Sequence, residues 1–331
     1  MSTDETGLPE ARLAATAAAL GSDSGGLYHL VAGLMGEGVP FETILFDVLV
    51  PAEQDIGSRW QSGDYLVSEE HAATATVETV VSLLAGSFDL PKDGARVVIG
   101  AVEGDHHSLP ARLIAAHLLY LGYRAVSLGA NVLASDLGDY LAIEPPDALV
   151  LSCAMSSHLL GARASIRAGH SAGVPVIVGG KGFGEGGRWA TPLGADSWVA
   201  TPRDVAEVLG SWSPDPEASE AEAVDPSEEL LRLMGHRASV IGAARSELTS
   251  AGVDLDDNRL ADEISLLLGA VEASLLVADD QVIVDMLRWQ ETTLSAHGYD
   301  GSDRIADALG SALTGVSSMA QAALGRAMGS N

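Results

Sequence analysis

The loop Glu103-Gly104-Asp105-His106-His107-Ser108-Leu109-Pro110 concentrates residue types that do chemistry. An imidazole can give a metal the lone pair of one nitrogen while its other N–H donates to a carboxylate, which fixes the tautomer and raises basicity. Asp105, two residues before His107, is placed to be that carboxylate, so three residues supply a ligand and the group that orients it. His106 reads as an ordinary surface or capping histidine, and His107 taken alone would read the same way. A second group stands upstream, where Trp60 is followed after nine residues by Glu70-His71. An indole offers a flat apolar wall, and a carboxylate with an imidazole offers directed hydrogen bonds. Together they suit a bulky polar ligand with an apolar face. The plainer alternative is a core tryptophan and a Glu-His pair on a helix surface.

The elements that must position these groups follow from hydrophobic spacing. Up to Phe88 the pattern is helical throughout: Pro9 to Leu20, Gly26 to Met35, Phe41 to Trp60 and, after a break at Gly63-Asp64, Leu66 to Leu84. Four helices with short connections suggest a small antiparallel bundle, a cap over residues 1–90. After Asp89-Leu90-Pro91-Lys92-Asp93-Gly94 the period changes. Short apolar runs at Arg96–Val102, Ala125–Leu128, Ala148–Leu151, Val174–Val178 and Ser197–Ala200 alternate with helices near Ala111–Leu121, Leu133–Leu141 and Leu159–Ala172. This alternation predicts a doubly wound parallel sheet over residues 91–212. Such sheets bind ligands beyond the carboxyl ends of their strands, hence at the loops after Val102, Leu151 and Val178. Residues 213–229 hold prolines and acids with no Lys or Arg and read as an exposed linker. Residues 230–331 read as a second helical domain with breaks near Gly252-Val253-Asp254 and Gly298-Tyr299-Asp300-Gly301. The fold class expected is therefore α/β with all-α flanks.

Bulk properties exclude several functions. The 331 residues carry a formal charge of −28, which repels phosphate backbones and anionic headgroups, so neither nucleic acid nor membrane is an expected partner. A single cysteine, Cys153, excludes an internal disulfide framework and a cysteine-rich metal site. No signal peptide or bilayer-spanning run is found, and a cytoplasmic protein is expected.

Asp105-x-His107-x-x-Pro110 resembles the Asp/Glu-x-His-x-x-Gly signature of cobalamin-binding domains, with Pro110 in place of the glycine. Ser152 after the third strand and Gly179-Gly180 after the fourth match that family's later motif positions. The resemblance implies a flavodoxin-like domain in which His107 takes the place of the cofactor's own nucleotide base on cobalt, with Asp105 behind it and Ser108 beside it. The freed nucleotide tail would then enter beside the sheet past Ser152, Gly179 and Gly180. Trp60-x9-Glu70-His71 resembles the motif of light-sensing cobalamin proteins of the CarH type, where it covers the upper, adenosyl face of the corrin. Gln61 stands where those photoreceptors have a histidine that binds cobalt after illumination, so a bis-histidine photoproduct of that construction is not expected.

CarH-type regulators carry a DNA-reading domain before the cap, whereas here a helical domain follows the cobalamin module. That order resembles the photocobilins, which add a helical bilin-binding domain. The resemblance implies adenosylcobalamin together with biliverdin. The bilin would be held non-covalently because Cys153 belongs to the sheet. Cations for its propionates and walls for its rings would come from His236-Arg237 and Arg288-Trp289, with Arg232, Arg245, His297 and Tyr299 nearby. The alternative is a dimerisation bundle whose arginines neutralise an acidic surface. The function expected is a light sensor, not an enzyme, working as a homo-oligomer such as a dimer or through a downstream effector enzyme. Its rivals are a corrinoid carrier for methyl transfer and a light-independent cobalamin sensor.

Overall fold

The structure, a computed structural model, describes residues 7–88, 93–211, 213–215, 219–220, 223–253, 255–299 and 301–330. The first residues of the chain, 89–92 of the expected domain boundary, 216–218, 221 and 222 of the acidic stretch, and Asp254 and Asp300 of the expected breaks lie outside them. Among the described residues no helix is long and apolar enough to cross a membrane.

The cap forms from α1 (Leu8–Leu20), α2 (Ser24–Gly36), a continuous helical run α3 over residues 41–61, and α4 (Val67–Ala85). Asp23 caps α2 by accepting from the Gly26 N–H at 2.8 Å. Within α3, Ile44–Leu49 is wound as a π-helix before the Val50–Gln61 segment. Pro51 brings no N–H to its preceding turn, and the Asp47 carbonyl accepts instead from Arg12 Nε at 2.5 Å. The cap has its own apolar core, in which Phe41, Ile44, Leu45, Val48 and Ile56 meet Val77, Val80 and Val81.

The sheet consists of β1 (Arg96–Ala101), β2 (Arg124–Ser127), β3 (Ala148–Ser152), β4 (Val176–Gly179) and β5 (Ser197–Val199), all parallel, in the order β2-β1-β3-β4-β5. That is the flavodoxin-like order. Side chains alternate along β1. Val97 and Ile99 pack with Ala111, Ile114 and Leu118 of α5 (Leu109–Tyr120) and with Val205 of α8 (Asp204–Ser211). Val98 faces the opposite layer, α6 (Ala134–Ile143) and α7 (Leu159–Ser171), through Leu137, Leu141, Leu159 and Ile166.

The C-terminal unit comprises α9 (Glu228–Ser250), α10 (Asp257–Val277), α11 (Gln281–Ala296), α12 (Ser302–Leu313) and α13 (Ser318–Met328). It does not hang from a free linker. Its core runs without interruption into the α6–α7 side of the sheet. Where the acidic stretch is described it is fastened down: Arg163 donates to both Glu220 carboxylate oxygens at 2.9 and 3.0 Å and to the Val224 carbonyl at 2.9 Å. A Cβ at Gly269 of α10 would lie 2.8 Å from the Ser157 carbonyl, so α10 rests directly on the turn after β3.

The cap also meets this unit. α3 ends in a Schellman turn, with Gly63 N–H bonded to Trp60 O at 3.0 Å and Asp64 N–H to Arg59 O at 2.8 Å. Gly63 has φ +81 and a Cβ there would lie 2.4 Å from the carbonyl of Ala296, the last residue of α11. Gly63→Ala is expected to lose about 1–3 kcal/mol of unfolding free energy, from left-handed strain and from the collision with α11. Urea titration measures it, and an unchanged midpoint would show that this turn does not bear on α11.

Candidate functional site

Beyond Ala101 the chain turns at Gly104 (φ +89). Gly104 N–H donates to Asn131 Oδ1 at 2.9 Å and Asn131 N–H to the Asp105 carbonyl at 2.7 Å, which moors the loop after β1 to the loop after β2. Asp105 is fully buried. Its Oδ1 accepts from the His107 backbone N–H at 3.0 Å and from His107 Nδ1 at 2.6 Å, and its Oδ2 accepts from Ala154 N–H, in the loop after β3, at 2.5 Å. Burial pushes the Asp105 carboxyl up, but the His107 and Ala154 hydrogen bonds outweigh it and hold the group below its ordinary value. In return the carboxylate lifts the His107 imidazole above its ordinary value. With Nδ1 engaged, Nε2 is the nitrogen available to a metal. Pro110 falls in the first turn of α5, where a missing N–H leaves no helical bond unmade.

A cavity of about 670 Å³ opens over the carboxyl edge of the sheet, between α3 and α4 on one side and the loops after β1, β3, β4 and β5 on the other. Its lining brings together His107, Ser108, Ser152, Gly179 and Gly180 from the sheet domain and Glu70 and His71 from the cap. Asp105 lies behind His107. Ser152 ends β3 in register with Ala101 and Gly179. Gly180 has φ +107, and a Cβ there would lie 2.2 Å from the Cys153 carbonyl, so a glycine is needed for the loop after β4 to lie this close to β3. Ser108 Oγ donates to Glu78 of α4, which ties the His107 loop to the cap. These features fit a large planar cofactor that an imidazole would hold: a roomy slot, a braced imidazole on its floor and two glycines at the sheet edge.

Trp60 is not on the cavity wall. Its ring stands 6.3 Å from that of Trp289 and 6.0 Å from that of His297. Glu70 and His71 meet the cavity, whereas Trp60 meets α11. The C-terminal candidates are dispersed. Exposed His236 bonds through Nδ1 to the Arg232 carbonyl at 2.9 Å. Arg237 pairs with Glu272 and donates to the Ser265 carbonyl and hydroxyl at 2.9 and 2.8 Å. Arg288 is exposed on α11, one residue before Trp289.

Sequence reasoning missed Glu53, Thr74, Glu78, His106 and Lys181 as lining residues. Part of the signal was present, since Glu70, Thr74 and Glu78 recur every four residues and so share one face of α4. Glu53 is distinctive: burial, then the neighbouring Glu70 and Glu78 carboxylates, push its carboxyl up to about 7 against a hydrogen bond from Thr74 that lowers it. His71 Nδ1 donates to Glu70 at 2.6 Å.

The Asp105–His107 pair has a pH signature. Asp105, depressed when folded, contributes stability above the ordinary carboxylate range that is lost as pH falls through its folded value. His107, raised when folded, contributes stability below the ordinary imidazole range that is lost as pH rises through its folded value. Asp105→Asn is therefore expected to destabilise by about 2 kcal/mol between those ranges, with a smaller deficit on either side. Urea unfolding of both proteins across pH measures this, and a pH-independent deficit would contradict it.

Comparison with known proteins agrees with this geometry. Two family models described as B12 binding domains match residues 14–85 and 95–208. The HTH-type transcriptional repressor CarH of Myxococcus xanthus is 32% identical over 139 residues, 40% of this chain and 46% of that protein, so the match spans less than half of that relative. Trimethylamine corrinoid protein 1 of Methanosarcina acetivorans is 24% identical over 160 residues, 46% of this chain and 73% of that protein. Among solved structures, the Methanosarcina barkeri monomethylamine corrinoid protein superposes with a TM-score of 0.52 at 21% identity, over 61% of this chain and 97% of that one, a likeness of fold. The helical cap and the parallel sheet of this chain thus make up a cobalamin-binding module, with a cobalt corrinoid as its cofactor class.

Proposed function

We propose that this chain is a light sensor that takes adenosylcobalamin with His107, not the cofactor's own base, on cobalt, and that its C-terminal helices read the state of the cavity. The bound cofactor would supply a light-labile cobalt–carbon bond. The chain's own residues do the rest. Asp105 holds the His107 ring with Nε2 towards the cavity. Ser152, Gly179 and Gly180 line its sheet edge, where a nucleotide tail would lie. Glu70 and His71 line the opposite wall. The observation that carries the reading is that the C-terminal unit touches the module on both sides of the cavity. On the sheet side α10 rests on Ser157, and on the cap side α11 meets Trp60 and Gly63. A change of contacts inside the cavity that moves cap against sheet must disturb one of these seats. A switch needs such differential contacts in its two states. The output would pass to a second copy of the chain or to an effector enzyme.

Biliverdin in the C-terminal unit is the finer part of the proposal. Gln290 Oε1, Thr293 Oγ1, His297 Nε2 and Tyr299 OH are buried there without a hydrogen-bond partner among the described residues. Such groups carry a desolvation penalty that a polar ligand would relieve. Trp289 and His297 stand beside them. His236 and Arg237 are the weaker half of the expected set, because Arg237 is already committed to Glu272. The corrinoid proteins among the relatives support a second reading, a carrier for methyl transfer. A carrier's cap must swing aside for a methyltransferase, and here the cap is held at Trp60 and Gly63, which favours the sensor.

Protein loaded with adenosylcobalamin in the dark is expected to change its visible spectrum under green light, and to change its elution volume in size-exclusion chromatography. An unchanged spectrum with intact binding would leave a light-independent cobalamin sensor, and tighter binding of methylcobalamin would favour the carrier. Protein supplied with biliverdin is expected to absorb in the far-red, and Trp289→Ala to weaken that band; no far-red absorption at saturating biliverdin would remove the bilin from the proposal.

A further inference from the structure

We propose that His170 is a proton-operated clasp: as an imidazolium it ties the acidic stretch at Glu220 to the sheet domain, and loss of one ring proton frees that stretch from α7. The clasp uses no residue of the cavity wall.

A neutral imidazole has one N–H, whereas an imidazolium has two. Both ring nitrogens of His170, near the end of α7, face carboxylates. Nε2 lies 2.8 Å from Oδ2 of Asp196, just before β5, and Nδ1 lies 3.2 Å from Glu220 Oε2. Both oxygens are already acceptors: Asp196 Oδ2 takes the Val176 N–H at 2.7 Å, and Glu220 Oε2 takes an Arg163 N–H at 2.9 Å. Both His170 contacts are therefore donations, and two donations need the charged ring. The surroundings suit that charge. The His170 and Asp196 side chains are only 4% and 1% exposed, and the acids Asp196, Glu220 and Asp225 are matched by Arg163, Arg167 and His170. Burial alone would lower the imidazole's titration, but the bonds to Asp196 and Glu220 outweigh it and hold the ring above its ordinary value. Burial likewise works against the two carboxylates, and their hydrogen bonds hold both below their ordinary values.

The two carboxylates differ in freedom. Asp196 is buried and anchored to the sheet through Val176, whereas Glu220 is 30% exposed on the acidic stretch. When one ring proton leaves, a nitrogen lone pair faces a carboxylate and the cluster gains a net negative charge. Glu220 is the group that can withdraw. The raised His170 stabilises the clasp fully below the ordinary imidazole value, and that contribution is lost as pH rises through its folded value. The depressed Asp196 and Glu220 contribute above the ordinary carboxylate range and lose their contribution as pH falls through their folded values. The clasp is thus closed between those two limits. What it holds is the route from the sheet domain to α9. Val224 N–H donates to the Pro192 carbonyl at 2.8 Å, and the Val224 carbonyl accepts from Arg163. A Cβ at Gly194 (φ +87) would stand 2.8 Å from that of Ala223, so the stretch lies directly on the turn before β5. The proton on His170 sets how firmly this seat is kept.

Hydrogen exchange of the Val224 amide in the full chain, with the intrinsic pH dependence of exchange divided out, reads the clasp. In the unaltered protein Val224 protection should fall several-fold from pH 6 to pH 9, about tenfold for every unit separating clasped from free imidazole. The Val178 amide in β4 should keep its protection. His170→Gln has no ring to titrate and should show the low, high-pH protection at both values. Glu220→Gln keeps an acceptor for Arg163 and offers an amide N–H to a neutral ring, so its Val224 protection should not fall with pH. Its position on an exposed stretch makes this variant decisive if His170→Gln does not fold. Nitrogen NMR of the His170 ring at pH 6 should find both nitrogens protonated. A single neutral tautomer at pH 6 overturns the proposal, as does Val224 protection that is constant with pH in the unaltered chain or falls equally in His170→Gln. An equal fall at Val178 also overturns it, because the opening would then be global unfolding.

Discussion

A buried carboxylate is tolerable only when its oxygens are hydrogen-bonded, because the cost of removing the charge from water is several kcal/mol. Asp105 meets that condition with three N–H donors drawn from two loops: two from His107 after β1 and one from Ala154 after β3. The requirement works in both directions. Because the charge has to be satisfied, the two loops cannot drift apart, and the orientation of the His107 ring is set by the same bonds that make the aspartate tolerable. The loop after β3 then continues into the Ser156–His158 turn on which α10 sits. His158 closes the circuit from the other side: a Cβ on Gly104 would lie 3.3 Å from its ring, and burial holds its imidazole below the ordinary value. The His107 loop and the C-terminal helices are thus joined through consecutive close contacts.

The cap is fixed by a different kind of interaction. Arg203, just beyond the cavity-lining Thr201-Pro202, reaches Glu42 at 2.9 Å and Asp47 at 2.7 Å and lies over the Phe46 ring. Its partners are side chains on the α-to-π segment of α3. At the other end of α3, Trp60 lies against Trp289 and His297. One helix is therefore pinned to the sheet domain near its start and to the C-terminal unit near its end, with the cavity-lining Glu53 and Gln54 between the two pins.

Much of this was legible in the sequence. The cap helices and the five strands fall within a few residues of their expected spans because period-3.6 and short apolar runs reflect burial on one face or on both. The Asp105–His107 bond was legible because it is local, spanning two residues and needing no long-range packing to be inferred. The position of Trp60 was not, since a tryptophan at a helix end suits any apolar neighbour and only tertiary packing decides between cavity and α11. The acidic stretch read as a free linker because its own composition is that of a solvated chain. Its partner, Arg163, lies some sixty residues earlier in α7 and gives no local sign. The break between α10 and α11 lacks glycine or proline: the chain turns at Ala278 with φ +53, which no residue-type rule would mark. Glu53 escaped notice because its character comes from neighbours twenty residues away.

The distribution of the cores bears on how such an assembly would move. The α6–α7 side of the sheet and all five C-terminal helices share one contiguous apolar core, while the cap has a separate one that includes only Leu109, Leu113 and Ala116 of α5 from the sheet domain. Close-packed interiors resist internal shear, so a displacement is accommodated more readily between the two cores than within either. The cavity lies between the two cores, lined by cap and sheet domain alike. The cap is joined to the sheet domain by Leu109, Leu113 and Ala116 of α5, by the rings of Phe41 and Phe88 against Tyr120 and of Phe46 against His117, and by Arg203, and it meets the C-terminal unit at Trp60. A ligand filling the cavity touches cap and sheet domain at once. The contact through which a shift of the cap would be felt elsewhere is the aromatic seat of Trp60 on α11.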